Sequence, residues 1–493
     1  MIAGAGIIGN SLAFFLARNY GHHEDLEVTL VDPVGLCPGA SSKSGGFLAK
    51  KWRDNMAEEQ LQKLGFQLHD KLAQELGREG YSVDPVTGHT RNNVTDYRRL
   101  SSYAAAIGGS IVNGHSIGRD GQPQRPPEEP HTSKKILPQQ PQLAVNSTLE
   151  WVDDAILLAS KQLGTEKNIA QVHPHKLCQA MWERTQQLAQ QHGRTFTLQL
   201  GRVVDVLIDQ HPSSSSSSSQ LKLHGVRLED GTMVEADVVV AAIGPWSEEI
   251  RYWFQHTSVN DTDDNTNTNI ELQLLEAMAT VPAFQSTKSH SMLVSTLDNS
   301  NNNNNNHDEN KEQQSQHNPT EAAEEAGVIL TEAIFFKSTD PTLKDLEVYP
   351  RPDGDAYITG KDEAHAYMAE RPGQERVEPA RIQDLRASMH LTSPNLLGRI
   401  KPHTTQACYW LDVMDGMPVI GPLPTLNNFY IATGHSVWGI LQAPSTGKAL
   451  VGLGVLSCCI SLYRISYCSI SHTLMDLFPF LCILPNHNHN KKN

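Results

Sequence analysis

The sequence predicts a mixed α/β fold in which a parallel sheet with its helices is interrupted by a second domain built on an antiparallel sheet. Three observations predict this fold. A glycine-rich turn near the start of the chain joins a short strand to an apolar helix. The largely apolar run Ala236–Ala242 is typical of a buried parallel strand. Four strand-like segments between residues 289 and 360 follow one another without a helical pattern, which favours antiparallel pairing.

The glycine-rich turn, Gly4-Ala5-Gly6-Ile7-Ile8-Gly9, has the spacing of a dinucleotide-binding motif. Its glycines let a pyrophosphate approach the positive end of the helix predicted over Ser11–Leu16. The strand Leu26–Val31 ends at Asp32, where a carboxylate can accept hydrogen bonds from ribose hydroxyls. Together with Ala40–Gly46 these features predict a dinucleotide site for a flavin, and the alternative is a glycine-rich turn without a ligand. Only three residues precede Gly4, whereas a strand usually needs about five, so we expect a misassigned start codon.

Composition and charge exclude several classes of function. Lys and Arg total 40 against 55 Asp and Glu, a formal net charge of −15, so a nucleic acid is repelled by the average surface and is not an expected partner. The seven cysteines form no CxxC pair and no metal-ligand spacing, which predicts free thiols in a reducing, cytoplasmic compartment and no metal site. We expect neither a secretory signal nor a convincing membrane span, because polar residues interrupt the apolar stretch 452–484.

Polar, low-complexity segments divide the chain. They are too polar to offset the entropy cost of ordering, which predicts solvated loop insertions at 118–134, 213–219, 260–269 and 296–325, the last with its most polar part at 299–316. Residues 451–493 change abruptly in composition. We expect this tail to be aberrant or disordered, the product of a translated intron or a shifted reading frame.

Further elements fill the blocks between these segments. A helix is predicted after Val172–Leu177 through about Gln191, followed by a strand over Thr195–Leu207. The buried strand at 236–242 leads to Gly244, and because ligands sit beyond the carboxyl ends of strands in open α/β sheets, we expect Gly244 beside the ligand. The strands of the second domain are Ser289–Val294, Val328–Phe336, Leu346–Arg351 and Ala356–Gly360, with a hairpin turn at Asp353-Gly354.

The last recognisable block begins at Asp415-Gly416. A strand over Phe429–Ala432 leads into Thr433–Ile440, and a helix with Pro444 near its start follows. Glycine at the head of a helix offers backbone donors that suit a flavin ring or its ribityl chain. A purely structural turn explains the same pattern equally well.

Three motifs in this order make the chain resemble the FAD-dependent oxidoreductases of the D-amino-acid-oxidase family, the group of glycine oxidase and monomeric sarcosine oxidase, and within it a eukaryotic branch. The motifs are Ser42–Ala49, Glu347–Gly354 and Thr433–Ile440, and the resemblance spans most of residues 1–450. It implies a Rossmann-like FAD-binding domain assembled from residues 1–60, 165–255 and 395–450. It also implies an inserted antiparallel α+β substrate domain, 61–164 and 256–394, that covers the face of the isoalloxazine ring.

The resemblance further implies which residues contact FAD. Val203 or Val204 is expected near the adenine, and residues 435–441 are expected to border the ring. With the glycines of the predicted turns, the expected cofactor residues are Gly4, Gly6, Ile7, Ile8, Gly9, Asp32, Ser41, Ser42, Lys43, Ser44, Gly45, Gly46, Val203, Val204, Gly244, Gly434, His435, Ser436, Gly439, Ile440 and Leu441.

Reactions of this family move a hydride from the carbon beside an amine to N5 of the flavin and leave an imine that water hydrolyses. The cofactor carries the difficult chemistry, so no protein nucleophile is required. The expected partners are a small amine or amino acid and oxygen or another electron acceptor. Glycine-oxidase-like members place arginines for the substrate carboxylate at two positions where this chain has Trp410 and Val437. An apolar residue cannot pair with a carboxylate, so recognition of a simple amino acid is open to question.

The catalytic candidates are Lys288, His435 and Arg351. Arg351 is the best remaining guanidinium for a carboxylate, with a structural pairing as its alternative. Lys288 and His290 stand at the start of a strand expected to face the ring, and a lysine near the ring is the family's usual oxygen activator. Two large aromatic residues, Trp438 and Tyr349, either line the pocket or pack beside it.

Three functions stay open. The first is an FAD-dependent amine or amino-acid oxidoreductase, working as an oxidase or a dehydrogenase. The second is an FAD-binding regulatory, assembly or trafficking protein with little or no turnover, which Trp410 and Val437 favour because they replace the usual substrate anchors. A nicotinamide dehydrogenase is a weaker third possibility, which the loop Ser41–Gly46 disfavours.

Overall fold

The computed structural model describes residues 1–77, 81–83, 90–92, 94–108, 149, 151–208, 222–255, 274, 279–297, 329–339, 344–360, 363–364, 367–423 and 426–452. The predicted loops at 118–134, 213–219, 260–269 and 299–316, and the tail beyond residue 452, lie outside the described residues. The described α-helices are α1 (Ile7–Tyr20), α2 (Ala40–Lys43), α3 (Glu59–Leu76), α4 (Pro174–Gln191), α5 (Pro379–Thr392) and α6 (Gly439–Gly452). Two 3₁₀ segments cover Gly244–Phe254 and Ser436–Trp438.

The strands follow in chain order. They are β1 (Ile2–Ala3), β2 (Glu27–Asp32), β3 (Phe47–Ala49), β4 (Tyr81–Val83), β5 (Thr90–Asn92), β6 (Arg98–Arg99), β7 (Ser101–Ile107), β8 (Leu157–Gly164), β9 (Ile169–Gln171), β10 (Thr195–Leu200), β11 (Val203–Ile208), β12 (Leu223–Leu228), β13 (Met233–Glu235), β14 (Val239–Ala241), β15 (Phe284–Ser295), β16 (Glu332–Ser338), β17 (Leu346–Pro350), β18 (Asp355–Thr359), β19 (Glu363–Ala364), β20 (Thr404–Val413), β21 (Val419–Leu423) and β22 (Leu426–Thr433).

The first sheet carries the glycine-rich turn and has the strand order β10-β2-β1-β14-β22-β21. Its neighbours pair in parallel, except that β21 pairs antiparallel with β22. The carboxyl ends of β1, β2, β14 and β22 therefore lie along one edge, which is where open α/β sheets bind ligands. Helices α1, α4 and α6 pack on this sheet around a core that includes Phe14, Met181 and Leu450. The predicted parallel sheet is confirmed.

The second sheet has the strand order β19-β15-β18-β17-β16-β7-β8, and β20 also pairs with β15. The pairing is antiparallel, as predicted, with one exception, since β16 runs parallel to β7. Side chains alternate between its two faces. The outer face carries Met292, Val348 and Ile358, which pack under α5. The inner face carries Leu293 and Tyr357, which pack toward β3 and Trp438.

Several segments differ from the predicted organisation. Strand β20, which the prediction assigned to the cofactor domain at 395–450, pairs with β15 of the second sheet along its whole length. Helix α3, assigned to 61–164, buries Phe66 and Leu72 in the core of the first sheet. The strand predicted over Thr195–Leu207 is two strands, because the chain leaves the first sheet after β10 and forms an antiparallel pair between β11 and β12. Local patterns predict strands but not the sheet that each strand joins. The remaining domain limits stay a prediction.

Candidate functional site

The glycine-rich turn lies where the carboxyl end of β1 enters α1, and it leaves no space for side chains. A Cβ on Gly4, whose φ is +100°, would lie 2.3 Å from the carbonyl oxygen of Ala242. A Cβ on Gly9 would lie 2.0 Å from the carbonyl oxygen of Gly4. Gly6 caps α1 without a side-chain hydrogen bond, and the first turn of the helix holds no acidic residue. This helix end therefore offers backbone donors and positive potential, which fits a pyrophosphate.

Asp32 closes β2 beside this turn. Its Oδ2 accepts from the backbone N–H of Ala5 at 3.1 Å, and its Oδ1 accepts from Val34 and Gly35. Burial raises the pKa of this carboxyl above its usual value, although the three backbone donors act in the opposite direction. Asp32 thus holds the turn in shape from the position expected for a ribose contact.

The predicted adenine side follows directly from Asp32. The carbonyl of Asp32 accepts from Gly201 N–H at 3.0 Å, which fixes the turn between β10 and β11. Val203, the first residue of β11, is buried, and Val204 is half-buried. Their contact with adenine stays a prediction, but the pairing places both residues next to the end of β2.

The loop at residues 41–46 contacts both the turn and the second sheet. Ser41 Oγ accepts from Ile7 N–H at 2.9 Å, and Ser42 Oγ donates to the Gly39 carbonyl. Lys43 Nζ lies 2.6 Å from a carboxylate oxygen of Glu375, so its charge is neutralised by a residue outside the loop. The buried Ser44 Oγ has no hydrogen-bond partner in the described part of the chain. An orphaned hydroxyl in this loop fits the contact with a polar cofactor group that the sequence predicts.

The last cofactor segment follows β22. Gly434 has a φ of +78°, and a Cβ there would lie 2.4 Å from Cγ2 of Val413. His435 Nε2 lies 2.9 Å from Thr446 Oγ1, and burial lowers the pKa of His435 to about 4. Its ring is therefore neutral near pH 7 and fixes the segment against α6 rather than serving as a ready acid.

The residues after His435 differ in their surroundings. Ser436 has a φ of +49°, and Gly439 begins α6. Ile440 and Leu441 are buried against α3, where the Ile440 carbonyl lies 2.9 Å from His69 Nε2. Gly244 has a φ of +58° and faces open space at the end of β14, since a Cβ there would meet no described atom within 4 Å. The segments predicted to hold the cofactor, namely residues 4–9, 41–46, Gly244 and 434–441, thus meet at the carboxyl edge of the first sheet.

The structure corrects the expected orientation of Lys288 and His290. Both share the outer face of β15 with Met292, which packs under α5. Lys288 Nζ lies 3.7 Å from Oε1 of Glu378, and His290 Nε2 accepts from the backbone N–H of the same residue at 3.1 Å. The alternation of β15 instead turns Ser289, Ser291 and Leu293 to the inner face. A catalytic role for Lys288 stays a prediction.

Arg351 lies on the inner side, immediately after β17. It is buried, its Nη1 lies 3.3 Å from His173 Nε2, and its guanidinium carbon lies 5.8 Å from the centre of the Tyr357 ring. Burial lowers the pKa of Arg351, and burial together with the nearby Arg351 charge lowers the pKa of His173 to about 4. A neutral His173 accepts from the guanidinium. Arg351 Nε has no hydrogen-bond partner among the described residues.

Two residues stand where glycine-oxidase-like members place arginines for the substrate carboxylate, and both have other roles here. Trp410, on β20 opposite Thr287, donates its indole N–H to Asp412 at 3.0 Å. Val437 is 54% exposed. Sequence reasoning missed the half-buried aromatic residues Phe47, Trp52 and Phe335, which lie with Tyr349 and Trp438 on the inner face. No local pattern marks them, because they come from separate parts of the chain.

Metal-binding groups and membrane-spanning helices are both absent from the residues that the structure describes. No group of three or more His, Cys, Asp or Glu side chains has the arrangement of a metal site there. None of the helices in the described ranges combines the length and the apolar composition that crossing a membrane requires.

Comparison with known proteins gives consistent results. The family model described as FAD dependent oxidoreductase matches residues 1–258 and 313–453. Putative oxidoreductase C1F5.03c of Schizosaccharomyces pombe is 24% identical over 465 residues, covering 91% of this chain and 92% of that protein. Putative oxidoreductase TDA3 of Saccharomyces cerevisiae is 21% identical over 543 residues, covering 91% and 90%.

Solved structures share the fold at low identity. Glycine oxidase from Geobacillus kaustophilus is 16% identical, with a TM-score of 0.57 over 92% of this chain and 93% of that chain. L-proline dehydrogenase from P. horikoshii is 14% identical, with a TM-score of 0.55 over 92% and 91%. These structures bear out the mixed α/β architecture.

Proposed function

Because the chain belongs to the family of FAD dependent oxidoreductases, we propose that it oxidises the C–N bond of an amine or amino acid, with oxygen or another acceptor taking the electrons. The cofactor is FAD, as in the family. Solved structures of the same fold include enzymes named for glycine, iminodiacetate and L-proline, each of them an amine that carries a carboxylate. The shared fold supports this substrate class.

The observation that carries the proposal is the position of Arg351. A buried guanidinium is costly unless it is paired, yet Nε of Arg351 has no partner in the described part of the chain. The residue borders the inner face of the second sheet and contacts His173, which precedes α4. His173 in turn neighbours Gly46, since the Val172 N–H donates to the Gly46 carbonyl at 3.0 Å. Arg351 therefore lies near the loop 41–46, which we assign to the cofactor, and a substrate carboxylate there would complete its hydrogen bonds.

The residues of the chain have binding and positioning roles in this proposal. Bound FAD supplies the two-electron acceptor for the carbon beside the nitrogen. Arg351 would hold the substrate carboxylate, while the aromatic inner face excludes water from the reacting carbon. His435, neutral and bonded to Thr446, would hold the segment 434–441 in place. The amine must be unprotonated to react, and we place no general base of the protein in contact with it.

A reduction experiment tests the proposal. The purified protein with bound flavin is mixed anaerobically with alanine or with lactate. These two compounds differ only in having an amine or a hydroxyl group on the same carbon. A panel of other amines and their hydroxy analogues is then tested in the same way. We expect amines to bleach the visible flavin absorbance and the hydroxy analogues to leave it unchanged. A bound flavin that no amine reduces would contradict the proposal.

A second candidate function is supported by one observation. Trp410 and Val437 occupy the places where glycine-oxidase-like members hold carboxylate-binding arginines, and neither side chain can form an ion pair. An FAD-binding assembly or trafficking protein without turnover would need no such anchors. The same reduction experiment separates the two candidates, because this second protein would keep its flavin oxidised with every amine.

A further inference from the structure

A cluster of six aromatic residues covers the inner face of the second sheet. We call it the aromatic cluster, and its members are Phe47, Trp52, Phe335, Tyr349, Tyr357 and Trp438. Ring centres lie 5.2 Å apart for Phe47 and Phe335, 5.0 Å for Trp52 and Phe335, and 6.1 Å for Trp52 and Trp438. The Phe335 and Tyr349 rings meet edge to face at 5.6 Å. These spacings are typical of favourable aromatic contacts.

The aromatic cluster is continuous with the cofactor segments. Phe47 follows Gly46 directly, and Trp438 lies inside the segment 434–441. The Tyr349 ring lies so close to Gly45 that a Cβ there would be 2.4 Å from its Cδ2. The cluster therefore connects two separate segments that are predicted to hold the cofactor.

The exposure of the rings distinguishes this cluster from an ordinary core. Phe47, Trp52, Phe335 and Trp438 are only half-buried. Phe336 follows Phe335 on β16 and lies on the opposite face of the sheet. It is 3% exposed and packs under α5. Half-buried rings leave apolar surface available to a ligand, and covering that surface is favourable.

Charges of both signs border the cluster, because the Tyr349 hydroxyl donates to Glu347 Oε2 at 2.5 Å and Asp353 lies near Arg351. The Arg351 guanidinium lies 5.8 Å from the centre of the Tyr357 ring, and Tyr357 lies 5.9 Å from Tyr349. A ligand that fits this arrangement has an anionic group near Arg351 and a planar apolar group on the rings. A small polar amine would satisfy Arg351 but would leave the rings in contact with water.

We infer that the aromatic cluster selects amines that carry an aromatic substituent, in preference to small amines such as glycine. This inference rests on the proposed function, because it assigns the substituent of the same substrate. Edge-to-face contacts with Phe335 and Trp438 orient the substituent, and Arg351 orients the carboxylate. Because the rings hold one end of the substrate and Arg351 holds the other, the carbon beside the nitrogen is fixed between these two contacts.

Binding and reduction are measured with matched compounds. Phenylalanine is compared with alanine in anaerobic flavin reduction, and benzoate is compared with acetate in titrations of the flavin absorbance, which need no turnover. We expect each aromatic member to be favoured by about tenfold or more, the discrimination that added apolar groups typically provide. Phe335→Leu and Trp52→Leu should reduce this preference to about threefold or less, and Phe336→Leu, a change on the outer face, should retain it.

The outcomes separate the inference from the proposed function. Equal reduction by alanine and phenylalanine, together with equal binding of acetate and benzoate, would overturn the inference while leaving amine oxidation intact. Equal loss of preference in Phe335→Leu and Phe336→Leu would also overturn it, because the preference would then not come from the inner face. If benzoate is favoured but no amine reduces the flavin, the aromatic site stands and the proposed oxidation fails.

Discussion

Gly45 lies directly against the ring of Tyr349: a Cβ on Gly45 would be 2.4 Å from Cδ2 and 2.8 Å from Cε2 of that ring. The contact joins the cofactor loop to β17 of the second sheet. Neither residue type is unusual at its own position. Their proximity explains why the loop holds a glycine at 45, since any side chain there would displace either the loop or the tyrosine.

Gly45→Ala should therefore weaken both the fold and cofactor binding. Overpacking of this kind typically costs about 1–3 kcal/mol of unfolding free energy, and the displaced loop should hold less FAD. The measurements are the melting temperature and the ratio of flavin to protein absorbance after purification. Gly45→Ala combined with Tyr349→Ala should recover flavin content, because the second change removes the ring. If the double variant is no better than Gly45→Ala, the steric explanation is wrong.

Arg351→Gln should separate substrates with a carboxylate from those without. Hydrogen bonds to charged groups contribute about 1.5–3 kcal/mol, so we expect KM for an amino acid to rise about 10- to 100-fold, with little change for an amine that lacks the carboxylate. Arg381→Gln, on α5 at the outer face, is the matched control. An equal effect of Arg351→Gln on both kinds of amine would indicate a structural role for Arg351.

Lys288→Met should leave the reaction almost unchanged. The side chain lies on the outer face of β15, 3.7 Å from the half-exposed Glu378. A residue that transfers protons at a reacting centre contributes about 10²–10⁴-fold, whereas we expect the rates of flavin reduction and of reoxidation by oxygen to stay within about twofold. Stopped-flow measurement of both half-reactions checks this. A more than tenfold loss of the reoxidation rate would instead show that Lys288 takes part in the reaction with oxygen.

Stability should fall between pH 6.5 and pH 4 because of buried histidines. Burial lowers the pKa of His69 to about 4, while its Nε2 bonds the Ile440 carbonyl. Since the unfolded chain binds the proton at the ordinary pKa of about 6.5, the stabilising contribution is present above pH 6.5 and is lost as pH falls toward 4.

His69→Gln keeps a donor for Ile440 but cannot titrate. When the pH falls from 7.5 to 5, the unfolding free energy of the parent should decrease by about 2 kcal/mol more than that of the variant. Urea titrations at the two pH values measure the difference, and His22→Gln, a change at an exposed histidine, should behave as the parent. An identical pH dependence in His69→Gln and the parent would show that His69 is not buried in its neutral form.

Local sequence is sufficient to predict the elements whose conformation depends only on residues nearby in the chain. The turn Gly4–Gly9 is predictable because only glycine fits at its tightest positions. A Cβ added to Gly4 or Gly9 would lie within 3 Å of backbone atoms of the turn or of the residues after β14. Asp32 is predictable because a strand end and a fixed distance along the chain define it. The helices and most strands follow from periodicity, since burial on one face repeats at the spacing of the element.

Only the tertiary structure decided which face each strand presents and which sheet it joins. Lys288 lies on the outer face because β15 pairs with β18 and β20 in one register, and a shift by one residue would reverse every side chain. The aromatic cluster draws Phe47, Phe335 and Trp438 from distant positions along the chain. The sequence by itself therefore determined the cofactor turn and the family, whose signals are short in range. The surface proposed to meet the substrate depends on long-range pairing, and that pairing has no local signal.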